Sequence, residues 1–437
     1  MTESSQAHRF GPVRTEAGVT TSHMWTLMYA SLASIGVVTG MAAMTPYILS
    51  VNLGIPDTQH GSALGTLALW QELALILAYG PMGILADKFG RRIVYVLGFL
   101  TLALGYILFP YATNLTELSL ARLVYAVGIG AVTGMLATVI ADYGVQDDRG
   151  KLGAMTGFLN GLGVVIVTLF IGKLPAIFVA GGASDIAAGR DTMLIAASIC
   201  SASALILWLG LKPSLPIRAA GSTKKRPAFE LLREGFALAS KNPRIAVSYA
   251  SAFVARGDLA IVGLFAIAWG KQAAIGAGMS NSEALSKGLV PFIVAQSVAL
   301  IWPLVIAIPL DRMRRMQVLA VCMGLGAIGY CSLIFVSNPL LPTSLAFFVL
   351  LGIGQISAFL GAQTVIAKEA PEDMRGSVIG VFNFCGAVGI LILSVLGGYL
   401  YDRIGPWAPF FVVGSLNGVI ALLAAWLDNR EAKAALA

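Results

Sequence analysis

Four ionisable side chains, Glu72, Arg122, Arg256 and Asp258, interrupt long apolar stretches of the sequence. At the depth of a lipid bilayer such a group costs several kcal/mol unless it faces a partner or a water-filled cavity. A carboxyl group that meets water on each side in turn can bind and release a proton, whereas arginine keeps its charge and binds carboxylates or phosphates through paired donors. We therefore predict Glu72 and Asp258 as proton-coupling groups, and Arg122 and Arg256 as substrate ligands or counter-ions. A cluster of charges that only stabilises the fold is the alternative.

Helical geometry places these charges deep in their segments. Glu72 lies eleven residues before a polar loop and Arg256 twelve residues after Arg244, which at 1.5 Å per residue is roughly 16 and 18 Å. Arg256 and Asp258 are two residues apart and therefore on different faces of a helix, so we expect each to have its partner elsewhere. For Arg122, which lies near one end of its segment, the alternative is a side chain that extends to the membrane surface.

Three uncharged polar residues in apolar segments, Asn160, Gln296 and Asn383, are further candidates for substrate binding. Their amide groups can donate and accept hydrogen bonds with a solute. Hydrogen bonding between neighbouring helices, worth about 0.6 kcal/mol per bond in membranes, is the alternative.

The elements that must position these residues are bilayer-length apolar helices. Of the 437 residues, 57% are hydrophobic and 12% are charged, a composition that a soluble core cannot bury. The net charge of +7 does not indicate a nucleic-acid partner, because apolar stretches of roughly 20 residues separate the basic residues. We predict an all-α integral membrane protein whose twelve spans lie near 24–50, 61–82, 93–112, 118–141, 152–172, 191–211, 245–270, 288–308, 317–337, 340–366, 377–400 and 408–427.

Basic residues set the predicted orientation. Most of the 29 Lys and Arg residues fall in the tails and in alternate loops, while Lys173, Arg190, Lys271, Lys287 and Arg403 are left for the opposite face. Because cytoplasmic loops retain Lys and Arg, both termini are predicted to be cytoplasmic. The resulting organisation is an N-terminal tail (1–23), a six-helix bundle (24–211), a cytoplasmic linker (212–244), a second six-helix bundle (245–427) and a C-terminal tail (428–437).

A short charged loop follows the second span and contains Gly83, Asp87, Gly90, Arg91 and Arg92. The glycines allow a sharp reversal and close helix approach, Asp87 can accept hydrogen bonds from helix-start amides, and the arginines anchor the loop at the interface. A weaker copy in the second half contains Asp311 and Arg315. Asp147-Asp148-Arg149-Gly150 likewise recurs as Asp373-Met374-Arg375-Gly376, so two landmarks repeat at offsets of 224 and 226 residues. This register predicts a duplicated six-helix unit, with a substrate path between the halves near the bilayer midplane.

The loop motif and the duplication resemble the major facilitator superfamily over residues 24–427. The resemblance implies two pseudo-symmetric six-helix bundles and a conformational latch that holds the halves together through Gly83, Asp87, Gly90, Arg91, Arg92, Asp311, Arg315 and Arg375. The segment from Arg122 to Gly130 is similar to the fourth-helix pattern of proton-coupled members, in which this arginine acts in proton coupling or anion binding. The fifth span, by contrast, lacks the Gly-Pro pair usual in drug/proton antiporters.

The expected function is proton-coupled transport of a small organic solute, anionic or zwitterionic, by alternating access. Proton-coupled export of drugs or metabolites is the main alternative; uncoupled diffusion and a non-transporting membrane receptor or enzyme are others. The sequence has no phosphate-binding Gly-Lys-Ser loop and no paired Cys or His metal spacing, so we expect no cofactor, no metal and no soluble-enzyme chemistry. The predicted partners are the substrate, protons and lipid, for a monomer in the cytoplasmic (inner) membrane.

Overall fold

The computed structural model describes residues 9–213, 228–372 and 374–436. Residues 1–8 and Ala437 of the predicted tails, residues 214–227 of the predicted linker, and Asp373 lie outside this set. The described helices are α1 (Thr21–Val51), α2 (His60–Phe89), α3 (Arg91–Leu108), α4 (Leu115–Tyr143), α5 (Arg149–Ala180), α6 (Asp185–Gly210), α7 (Ala228–Ala239), α8 (Pro243–Ile261), α9 (Ile267–Gly276), α10 (Asn281–Asp311), α11 (Arg315–Cys331), α12 (Leu345–Glu369), α13 (Arg375–Arg403) and α14 (Ala408–Leu436).

Twelve helical segments in the described part are long and apolar enough to cross a membrane, which confirms the predicted fold class. Several helices run further than their apolar runs. The fifth span was predicted to end at residue 172, for example, but α5 continues to Ala180. The predicted span ended before the single charged residue Lys173, but the apolar sequence resumes at Leu174 and the helix continues through it.

The seventh span consists of two α-helices joined by a wider turn. Residues Val262–Ala266 form a π-helical segment between α8 and α9. Such segments are rare, and they change which residues face each neighbouring helix. Gly263 within the segment lowers helix propensity, but a single glycine does not by itself predict a π-helical turn.

The described chain forms two compact units. The first contains Met1–Pro56, Trp70–Gly221 and Ser280–Ser286. Within it α1 packs against α5, and α3 packs against α4 and α6. Small residues allow the first of these contacts: a Cβ at Gly36 would lie 2.7 Å from the carbonyl oxygen of Gly163. Close approach of backbones at small residues is the usual way in which membrane helices gain contact energy.

A short antiparallel hairpin precedes α1 in the first unit. Its strands are β1 (Arg9–Phe10) and β2 (Val13–Arg14). The backbone and side chain of Arg14 both donate to Asp148, at 2.9 and 2.8 Å. Hydrogen bonding to Asp148 raises the pKa of the Arg14 guanidinium. The end of the N-terminal tail is thereby fixed to the loop between α4 and α5.

The second unit contains Asp57–Leu69, Ser222–Met279 and Lys287–Ala437. In it α11 packs against α12 and α14, and α8 packs against α13. The last contact is close because Gly389 on α13 lies against the backbone of Phe253 on α8. This packing places α8, which carries Arg256 and Asp258, beside both α13 and α14.

Candidate functional site

Arg122 lies inside the first unit. Arg122 is 4% exposed, and its guanidinium lies 6.0 Å from the ring centre of Phe109 and 5.6 Å from that of Tyr125. The Nε and Nη1 atoms are buried and have no hydrogen-bond partner in the part of the chain that the structure describes. The guanidinium therefore does not extend to a surface. Aromatic faces stabilise the charge, while buried donors remain for an acceptor.

Glu72 is buried near the middle of α2, as its distance from the loop predicts. It interacts electrostatically with Arg122, so the structure brings these two predicted site residues together. Asn160, on α5 of the same unit, has a buried Oδ1 atom with no hydrogen-bond partner among the described residues. An unsatisfied buried amide costs about 1–3 kcal/mol and therefore calls for a solute, water or other group.

Arg256 and Asn383 meet in the second unit. The Nη2 of Arg256 donates to Oδ1 of Asn383 at 2.7 Å. Gly386, one turn further along α13, gives the arginine room, because a Cβ there would overlap Cδ of Arg256. A neutral amide orients this guanidinium without cancelling its charge.

Asp258 points to a different helix from Arg256, as the two-residue spacing predicts. Its side chain is 0% exposed, and both carboxylate oxygens accept from Nδ2 of Asn417 on α14, at 3.1 and 3.0 Å. Asn417 also donates to the carbonyl of Val413 at 3.0 Å. The carboxyl group is therefore enclosed within the second unit, with an amide as its hydrogen-bond donor.

Gln296 on α10 faces Gln355 on α12. The Nε2 of Gln296 lies 3.5 Å from Oε1 of Gln355, the long limit of a hydrogen bond. This is a contact between neighbouring helices, the alternative to substrate binding that the sequence analysis gave for Gln296. Because the bond is long, both amide groups can still hydrogen-bond a solute.

The two charged loops contain matching ion pairs. Arg91, which begins α3, contacts Asp142 at 2.8 Å near the end of α4. Arg315, which begins α11, contacts Glu369 at 3.1 Å at the end of α12. The arginines differ by 224 residues, as the repeat predicts, whereas the acids differ by 227, one residue more than its larger offset, so the acids correspond as helix ends and not residue for residue. Each pair lies within a single unit.

The acidic partners Asp142 and Glu369 were missed in the sequence, because the offset of 226 residues carries Asp142 to Lys368 and not to Glu369. Oε1 of Glu369 also lies 3.5 Å from Nη1 of Arg244.

The other predicted latch residues differ in their surroundings. Gly90 adopts φ +91°, which accounts for the sharp reversal between α2 and α3. Gly83 does not show the expected close helix approach, because a Cβ there would meet no atom within 4 Å in the described structure. Arg92 lies over the ring of Trp208 at 4.7 Å. The remaining three lie at helix ends: Asp87 is in the last turn of α2, Arg375 begins α13 and is exposed, and Asp311 ends α10, its side chain lying outside the described part.

Sequence reasoning also missed a polar cluster in the second unit. Lys271, which the charge count places on the non-cytoplasmic side, is 0% exposed and contacts Asp57 at 2.6 Å. Nearby, the Asp402 carboxylate accepts from the backbone amides of Gly61 and Ser62, at 2.7 and 2.8 Å, at the start of α2. The negative charge at a helix N-terminus is favourable. Among the described residues, no group of three His, Cys, Asp or Glu side chains is placed to hold a metal ion.

Comparison with known proteins decides the family. The sequence profile of the Major Facilitator Superfamily matches residues 26–394 and 292–436. The chain belongs to this superfamily. It is accordingly a multi-pass membrane transporter and not an enzyme.

The chain is similar in sequence to two magnetosome proteins and to a multidrug resistance protein. The chain is 29% identical to magnetosome protein MamH of Paramagnetospirillum magneticum, over 90% of this chain and 89% of MamH. It is 25% identical to magnetosome protein MamZ of the same organism, over 92% of this chain but only 62% of MamZ. Multidrug resistance protein MdtH of Aeromonas hydrophila is 26% identical, over 92% and 95% of the two chains.

Solved structures share the fold at low sequence identity. The nucleoside transporter NupG superposes with a TM-score of 0.71 at 14% identity, over 93% of this chain and 98% of NupG. A D-xylose-proton symporter superposes with a TM-score of 0.68 at 15% identity, over 92% and 96% of the two chains. These likenesses establish the fold of a secondary transporter.

Proposed function

We propose that this superfamily transporter moves a small anionic or zwitterionic organic solute by proton-coupled alternating access. The observation that carries the proposal is Arg122, whose Nε and Nη1 donors are buried without a hydrogen-bond partner in the described residues. Buried guanidinium donors are costly unless an acceptor arrives. A carboxylate or phosphate of the solute is the acceptor that best fits a planar pair of N–H donors.

Glu72 provides a physical basis for coupling. An ionised Glu72 offsets the charge of Arg122, and protonation of Glu72 leaves the arginine with an unbalanced positive charge. An anionic solute then binds more favourably, so proton and solute bind together. The same linkage requires that the solute increase the affinity of Glu72 for its proton. The D-xylose-proton symporter among the structural neighbours supports a proton as the coupling ion.

In the second unit Arg256, held by Asn383, is the corresponding solute ligand, and Gln296 is a further polar contact. In the first unit Asn160 has that role. Asp258 is the second candidate proton carrier. Its enclosure beside Asn417 favours a role in stability as well, and transport measurements on Asp258→Asn separate the two roles. We also propose that the charged loops act as a conformational latch, in which the Arg91 and Arg315 pairs fix each loop within its own unit.

The test uses purified protein in proteoliposomes with an imposed inward proton gradient and a panel of organic acids, amino acids and sugars. We expect an acid or zwitterion to accumulate, with alkalinisation of the external medium on its addition. Arg122→Gln should abolish accumulation, Arg122→Lys should weaken it, and Arg190→Gln, an exposed arginine on α6, should leave it unchanged. Uptake that needs no gradient would reassign the protein to facilitated diffusion.

Glu72→Gln separates coupling from binding. Solute binding measured by isothermal titration should become independent of pH between about 4 and 8 in this variant, a range that includes the ordinary carboxyl pKa, while the wild type binds more tightly at low pH. Binding that keeps its pH dependence in Glu72→Gln would transfer the coupling role to Asp258.

Export of drugs or metabolites is the second candidate. The relation to MdtH, named a multidrug resistance protein, favours it, whereas the continuous α5 through Gly157–Gly163, with no proline there, favours solute uptake. Gradient-driven efflux of lipophilic cations that is insensitive to Arg122→Gln would support export and contradict the anion proposal.

We further propose that the protein acts as a monomer in the cytoplasmic membrane with both termini in the cytoplasm. The names of MamH and MamZ introduce the magnetosome membrane as an alternative site. Membrane fractionation of the native organism, and protease access to tags at each terminus, test location and orientation.

A further inference from the structure

A basic cavity opens at one end of the first unit, at the helix ends that carry the predicted cytoplasmic loops. Its volume is about 500 Å³. The volume exceeds that of a single inorganic anion and suits a small organic group. Six charged side chains line it together with apolar ones: the cations Arg91, Arg92, Arg149 and Lys212, and the carboxylates Glu16 and Asp142.

The cations outnumber the acids that they contact. Asp142 accepts from Arg91 at 2.8 Å and also interacts electrostatically with Arg149 and Lys212. The single negative charge of Asp142 is therefore shared among three cations. The direct hydrogen bonds of the other two go to neutral carbonyls: Arg149 donates to Gly144 at 3.3 Å, and Lys212 donates to Ala17 at 2.8 Å.

The backbone adds to the positive potential. Arg91 begins α3 and Arg149 begins α5, and the first turn of neither helix contains an acidic residue. Cations at helix N-termini are unfavourable, because the helix dipole is already positive there. The carboxylate beside α5, Asp148, makes no capping bond and is instead held by Arg14 and Lys151. An anion in the cavity would offset this concentration of positive charge.

We propose that this cavity binds a phosphate ester, either the headgroup of an anionic phospholipid or a soluble phosphorylated metabolite. Two or more arginines with a lysine match the several oxygens and the charge of a phosphate group better than the two oxygens of a carboxylate. The remaining volume accommodates the esterified group. The site is separate from Arg122 and Glu72, so the proposal does not rest on the transported solute.

The test measures binding to the detergent-purified full chain by isothermal titration at constant ionic strength. The probes are dihexanoyl phosphatidic acid, dihexanoyl phosphatidylcholine, glycerol 3-phosphate and sodium sulfate. We expect saturable binding of at least one phosphate monoester, and at least a tenfold rise in its dissociation constant in Arg149→Gln/Lys212→Gln. Lys151→Gln, a neighbouring cation that does not line the cavity, is the matched control and should bind as the wild type does.

The outcomes separate the two sources. Binding of phosphatidic acid alone supports the site with the membrane as its source, and binding of glycerol 3-phosphate supports a soluble ester. Arg149→Gln alone, whose side chain is exposed, gives the same readout if the double variant does not fold. The proposal is overturned if neither monoester binds, if sulfate binds equally well, or if Lys151→Gln weakens binding as much as Arg149→Gln does.

Discussion

The ammonium nitrogen of Lys271 lies 2.6 Å from a carboxylate oxygen of Asp57, and the lysine side chain is entirely buried. The two residues are 214 positions apart in the sequence. His60, also fully buried, places Nδ1 3.7 Å from the same Asp57 oxygen. Charges removed from water depend on their partners for most of their stabilisation. The start of α2 is therefore linked to α9 by an interaction that neither helix can replace alone.

Lys271→Met should lower the free energy of unfolding by about 3–5 kcal/mol, the range for breaking a buried ion pair by removal of one partner. Asp57→Asn together with Lys271→Met should recover part of this loss, because no charge is then left without its partner. Unfolding in detergent, followed by circular dichroism, measures both effects. Lys173→Met, which removes an exposed lysine from α5, should change little, and an equal loss in that control would contradict the assignment.

The contrast between the spans and Lys271 shows what the sequence could and could not predict. Apolar runs of bilayer length predict helices reliably, because lipid offers no other partner for backbone hydrogen bonds. Glu72 was placed correctly in mid-helix by simple counting. Lys271 was counted only for the side of the membrane on which it lies, and its burial against Asp57 was not foreseen because the two residues are distant in sequence. Pairing across a fold depends on packing that local patterns do not encode.

The candidate site was predicted unevenly for a related reason. The spacing of Arg256 and Asp258 separated their partners correctly, since helix periodicity alone decides it. Asn417, which donates to Asp258, was not singled out, because a single asparagine in an apolar helix has no local signature. The π-helical turn after α8 and the hairpin before α1 were also unforeseen, since each is stabilised by contacts outside its own segment.

Gly386→Ala should displace Arg256 from Asn383. The added methyl group would overlap Cδ of the arginine, so the 2.7 Å hydrogen bond must lengthen or the helices must separate. We expect weaker solute binding with a loss of stability of about 1–3 kcal/mol, the usual cost of overpacking. Binding and unfolding are measured on the same preparations.

Gly380→Ala is the matched control, because the same helix α13 leaves open space at that position. It should bind solute as the wild type does. If Gly386→Ala also retained full affinity, Arg256 would not be a solute ligand in the conformation described.

The repeated ion pairs should differ in their contribution to stability. Arg91 and Asp142 are both partly exposed, so Arg91→Gln should cost about 0–1 kcal/mol, as for surface pairs. The side chain of Glu369 is only 5% exposed and forms ion pairs with two arginines, Arg315 and Arg244. Glu369→Gln should therefore cost about 1–3 kcal/mol, because two cations lose a buried acceptor.

A thermal unfolding series at low and high salt tests this ranking. Salt should reduce the effect of Arg91→Gln more than that of Glu369→Gln, because exposed pairs are screened and buried ones are screened less. Equal costs for the two variants would show that the duplicated pairs are energetically equivalent despite their different burial.

Asn417→Leu removes the group that donates to both oxygens of Asp258. The leucine is of similar size, so the expected loss of about 1–3 kcal/mol comes from a buried carboxyl group deprived of this donor. Asp258→Leu/Asn417→Leu should be more stable than Asn417→Leu alone, since both polar partners are then absent. Ser415→Ala, on the same helix and exposed, controls for substitution in α14. An unfolding free energy that did not recover in the double variant would mean that the Asn417 bond does not stabilise Asp258.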